Sequence, residues 1–87
     1  MILKVSSKSN PNSVAGAIAG SVKEENINEV ELCAIGAGAV NQAIKSVAIA
    51  RGFLVSSGID LICIPSFKQV KLDDMERTCM RILVKVN

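Results

Sequence analysis

Ten cationic side chains, eight carboxylates, three cysteines and no histidine are the groups from which any chemistry in this 87-residue chain must be built. Without an imidazole, a Ser or Cys nucleophile needs a Lys or a carboxylate as its base. No such pairing stands out. Asp73, Asp74 and Glu76 are the densest acidic group, and they read as solvated turn charges, not as paired acids across a cleft. Cys33, Cys63 and Cys79 are odd in number, each sits in an apolar, strand-like run, and none belongs to a CxxC pair. They read as buried thiols in a reducing compartment. A zinc site would take all three thiols and a carboxylate, so neither a metal nor any other cofactor is expected. The groups point away from an enzyme.

Binding chemistry has more material. Lys8, Ser9, Asn10 and Asn12 surround a helix start, with Asn10 placed to cap and Pro11 at the first helical position. Gly36-Ala37-Gly38, followed by Asn41, Gln42 and Lys45, opens a second helix. Two such starts side by side would aim free amides and aligned dipoles at one place, which favours an anion such as phosphate. Ordinary capping at two short turns is the competing reading. Gly36-x-Gly38 also resembles the opening of a dinucleotide fingerprint, with Asp60 about twenty residues on. Its third glycine position holds Asn41, however, and the chain supplies only half of such a fold, so a tight strand-to-helix turn is the better reading. Late in the chain, Lys68, Lys71, Arg77, Arg81 and Lys85 form either a basic arm or a sheet edge guarded by charge.

These groups are positioned by elements that can be read from periodicity. Ile2–Ser6 is a β-branched strand. Val14, Ile18 and Val22 recur along one face of the first helix, which closes at Lys23 and Glu24-Glu25-Asn26. Val30–Ile35 is a second strand. The second helix runs from Ala39 to Leu54, with Val40, Ala43, Ile44, Val47, Ala50 and Leu54 inward. Asp60–Leu72 is a long third strand, Asp73–Glu76 a turn, and Arg77–Val86 a fourth strand with Met80, Ile82, Val84 and Val86 on one face.

The order βαβαββ predicts an α+β fold in two layers: a mixed four-stranded sheet with both helices on one face. Pro65 cannot donate to a ladder, so the third strand belongs at an edge and the spatial order is 1-2-4-3. Gly16 and Gly20, one turn apart, read as a close-packing face of the first helix. Ile49 and Phe53 fall on the side of the second helix away from the expected core, which predicts a homodimer interface.

Composition bounds the rest. Residues 1–87 make one domain whose core is aliphatic, since 49% of residues are apolar and Phe53 and Phe67 are the only aromatics. No run suits a membrane span and none reads as a targeting segment, which predicts a soluble cytoplasmic protein. A net charge of +2 is too small to imply nucleic acid by itself.

Three long stretches, KVSSKSNPNSVAGAIAG, AIGAGAVNQAIKSVAIARGF and GIDLICIPSF, resemble the stage V sporulation protein S family over almost the whole chain. That resemblance implies a bacterial, cytoplasmic protein of spore development with no catalytic motif. More distantly, the element order resembles Alba-type chromatin proteins and the C-terminal domain of translation initiation factor three. Alba proteins dimerise and bind DNA or RNA, through a basic loop around a Pro and a basic glycine turn. Here Pro11 follows Ser9 and Asn10, and Gly36–Ala39 carries alanines at the basic positions. The expectation is a regulatory, homodimeric, Alba-like protein that binds nucleic acid weakly. The alternative is a protein-interaction module or a small-anion (phosphate) sensor.

Overall fold

The computed structural model describes residues 1–87. Strand β1 spans Ile2–Val5, helix α1 Pro11–Glu24, β2 Glu29–Ala34, α2 Ala37–Leu54, β3 Leu61–Leu72 and β4 Met75–Val86. A single 3-10 turn, Val55–Ser57, follows α2. The sheet order is β1-β2-β4-β3, with β1 and β2 parallel and the other neighbours antiparallel. The fold class, strand order and edge position of Pro65 are as the sequence predicts.

The core lies between one sheet face and the two helices. Val30, Leu32, Ala34, Ile82 and Val84 rise from the sheet to meet Ala15 and Ile18 of α1 and Ala43, Ala50 and Leu54 of α2. Both crossovers, β1-α1-β2 and β2-α2-β3, join parallel strands in the same direction, so right-handedness puts both helices on one side.

Helix α2 differs in detail from its expected pattern. It begins at Ala37, because Gly36 caps it with a φ of 92°, a conformation open chiefly to glycine. Its buried stripe is Ala39, Ala43, Ser46, Val47, Ala50 and Leu54. Ile44, expected inward, is 46% exposed. Its angular position, about 100° from Ala43, puts it on a flank of that stripe. Ile49, expected outward, is half-buried and packs on the core from the opposite flank. Small side chains take the centre of the stripe, and Ser46 satisfies its hydroxyl by donating to the Gln42 carbonyl at 2.7 Å.

Strands β3 and β4 form a hairpin that outruns the sheet. Strand β2 pairs with β4 only from Met80 to Lys85, so Met75–Cys79 and their β3 partners extend beyond it. The molecule is 42 Å long in consequence. Asp73 and Asp74 make a two-residue turn with φ of 52° and 61°, the left-handed geometry that suits hairpin twist. Pairing therefore continues to Leu72 and Met75, two residues further along β4 than expected. The helices do not reach over β3, where Leu61 alone is buried. Cys63 is thus exposed, against the expectation of three buried thiols, whereas Cys79 is buried and Cys33 half-buried.

Candidate anion-binding end of the sheet

The loops that open α1 and α2 touch at the carboxyl ends of β1 and β2. A Cβ on Gly38 would lie 3.0 Å from the Ser7 Cβ, so a larger residue there would push the loops apart. The Gln42 side-chain amide donates to the Ser9 carbonyl at 2.9 Å, tying the second helix to the first loop. This much of the predicted site is brought together.

Most of its donors, however, are spent inside the chain. Asn10 Oδ1 accepts from the amides of Asn12 at 2.9 Å and Ser13 at 3.4 Å, so α1 caps itself. Ser9 Oγ accepts from the Ser6 amide at 2.9 Å, and Ser6 Oγ from the Lys8 amide at 3.2 Å. The start of α2 has no side-chain cap. Asn12, Asn41 and Lys8 keep exposed side chains. Lys45 lies one turn past Asn41 on the outward side of α2, away from the loops.

The basic residues of the hairpin divide into two groups. Lys68 and Arg81 both bind Glu31, at 3.1 and 2.6 Å, on the sheet face away from the helices. Lys85 lies 3.6 Å from Glu29. Lys68 is therefore neutralised where the sequence reading had it free for an anion. The Arg81 and Lys68 hydrogen bonds hold the Glu31 carboxyl below its usual pKa. Lys71 and Arg77, further out, are exposed and make no ion pair, although Glu76 stands opposite Lys71 across the ladder.

A groove of about 390 Å³ opens between the hairpin tip and the end of β1. Val5, Cys33, Ile35, Val70 and Leu72 give it an apolar lining, and Lys4, Lys71, Ser6 and Ser7 its polar part. The sequence reading missed Lys4, Ile35, Val70 and Leu72, because the groove depends on where the hairpin tip lies relative to the end of β1, which only the tertiary fold sets. Cys33, in its wall, has its thiol pushed up to about 11 by burial and by its hydrogen bond with Cys79. A second concavity lies beyond α2, where the 2.8 Å Arg51–Asp60 pair answers its own charge.

The whole chain, residues 1–87, matches the sequence model described as Stage V sporulation protein S (SpoVS). The chain belongs to the stage V sporulation protein S family. It is accordingly a sporulation-associated protein. The stretches that carry the family likeness supply both helix-start loops, α2 and the first half of β3. In this member of the family, no helix is long and apolar enough to cross a membrane.

Proposed function

We propose that this sporulation-associated protein is a cytoplasmic, non-enzymatic regulator that binds nucleic acid weakly and without sequence preference. The observation that carries the reading is the sorting of its cations. Arg51, Lys68, Arg81 and Lys85 are each tied to a carboxylate. Of the six cations without such a partner, Lys4, Lys8, Lys71 and Arg77 lie toward the end of the sheet where α2 begins without a side-chain cap, Lys45 points outward from α2, and Lys23 alone lies at the opposite end. Cations held free in one region suit a phosphate backbone, which contributes affinity but no base identity. No aromatic side chain stands beside them to stack on a base.

The protein works, in this reading, as a homodimer. Gln42, Ile49 and Phe53 share the flank of α2 that faces α1, as the Gln42–Ser9 bond indicates. The opposite flank, with Ile44, faces β3, as the Arg51–Asp60 pair indicates. Phe67 is 77% exposed on the helix side of β3. Ile44, Phe67 and the open edge of β3 form a better contact surface than Ile49 and Phe53.

Titrating salt against binding to duplex DNA and to RNA tests the proposal. Affinity should fall steeply with salt on both, with little difference among sequences. No binding at the lowest salt sinks the reading and leaves its rival, a small-anion sensor or protein-interaction module. The self-capped start of α1, which removes donors from any anion, favours the protein-interaction module within that rival.

A further inference from the structure

We propose that the groove between the hairpin tip and β1 binds a compact amphipathic anion: one carboxylate or phosphate head on a short apolar body. Its volume, about 390 Å³, lies near the lower end of small-molecule sites, roughly 300–1,000 Å³, which excludes a long acyl chain. The apolar surface comes from three separate segments: Val5 from β1, Ile35 from the turn after β2, and Val70 and Leu72 from the hairpin. Cys33 completes it as a neutral thiol, since protons leave it only far above physiological pH.

The charge of the groove has one sign. Lys4 and Lys71 line it, no carboxylate does, and neither lysine makes an ion pair elsewhere. Glu31, on the same sheet face as Cys33, is held by Arg81 and Lys68 and offers no free charge. An anionic head seated in the groove would draw on the charges of both Lys4 and Lys71. Ser6 Oγ accepts from the Lys8 amide and lies 3.4 Å from Ser9 Oγ, while Ser7 stands outside that loop network and keeps its hydroxyl for the ligand head.

A ligand seated here touches β1 and the hairpin together, so it would hold the protruding arm against the sheet. That role is separate from backbone-phosphate contact. It requires Lys4, Lys71 and an apolar body, and it does not require Lys8.

The test uses the full chain and four probes: octanoate, hexyl phosphate, octanol and inorganic phosphate, followed by amide NMR. Octanoate or hexyl phosphate should shift the amides of Lys4–Ser7, Cys33–Ile35 and Val70–Leu72 saturably. Whichever of the two binds tighter identifies the head group. Octanol and inorganic phosphate should bind at least about tenfold more weakly, and the Lys4→Ala, Lys71→Ala double variant should weaken octanoate by a similar factor. Both lysines are exposed, so the variant should keep the native spectrum. Val70→Glu, which puts a negative charge in the wall, should abolish binding by a second route. The proposal is overturned if octanol binds as well as octanoate, if the shifts fall outside these segments, or if no probe saturates at millimolar concentration. Unchanged binding in the folded double variant overturns it too. Lys8→Ala should leave octanoate binding intact while weakening nucleic acid, so this site and the nucleic-acid reading can fail separately.

Discussion

Glu31 shows how a single carboxylate decides which cations remain available. Its side chain is only 12% exposed and accepts from Arg81 on β4 and Lys68 on β3. Replacing it with Gln leaves two cations under-neutralised on the sheet face and should cost about 2 kcal/mol of stability at neutral pH. Because its folded pKa lies below the usual 4.5, its contribution is complete above that value and is lost as pH falls through the depressed folded pKa. Urea unfolding across the acid range should therefore show a steeper loss in the native protein than in Glu31→Gln. Equal slopes would mean that the three-way contact is not kept in solution. The cysteines give a second prediction. Cys63 is exposed, whereas Cys79 is buried and Cys33 is held protonated. A maleimide at neutral pH should label Cys63 rapidly and the other two only on unfolding, as mass spectrometry would read. The Lys68–Glu31 pair was not legible in the sequence for a plain reason: the partners stand 37 residues apart, and only the strand order brings the two together. Asn10 as a cap was legible because its partners are two and three residues away.

At the scale of elements, the same distinction between local and distant information holds. Strand and helix positions followed from periodicity, and Pro65 placed β3 at the edge because a missing donor is a local fact. What the pattern did not carry was how far the helix layer extends. It stops short of β3, and so leaves Cys63 and Phe67 exposed on the helix side and Ile44 turned outward. A twelve-residue strand with an open edge and apolar groups on both faces invites pairing with another chain. Ile44→Ser combined with Phe67→Ser should yield a folded monomer in sedimentation equilibrium, each change removing about 2 kcal/mol of apolar burial from the contact. Ile49→Ser should act differently. Ile49 packs on the core, so this change should lower the unfolding midpoint and leave association unchanged. If Ile49→Ser dissociates the dimer and Ile44→Ser with Phe67→Ser does not, the interface lies on the α1 flank of α2. A native protein that sediments as a monomer at high concentration removes the dimer altogether.

Across the whole molecule, the unpaired cations are sorted by end. Glu24, Glu25, Glu29 and Asp60 lie where α1 and α2 finish and β2 and β3 begin, beside Lys23, Arg51 and Lys85. Lys4, Lys8, Lys71 and Arg77 lie where the helices start, with Asp73, Asp74 and Glu76 concentrated at the hairpin tip. The formal net charge of +2 hides this arrangement, which is why composition alone was uninformative about partners. If the four unpaired cations at the helix-start end each neutralise one phosphate of duplex DNA, the logarithm of affinity should fall with the logarithm of salt at a slope of about −3.6 per protomer. Lys8→Ala should weaken binding alike on every sequence and flatten that slope by about 0.9. Lys23→Ala, in the last turn of α1 at the opposite end, removes the same formal charge and should change neither. The acidic tip provides a control of opposite sign. Asp73→Asn with Asp74→Asn keeps residues that tolerate the left-handed turn and removes two charges that repel phosphate, so binding at low salt should tighten. The three variants separate a site from a net-charge effect. If Lys23→Ala weakens binding as much as Lys8→Ala, overall charge is responsible, and the helix-start end of the sheet has no special part in holding nucleic acid.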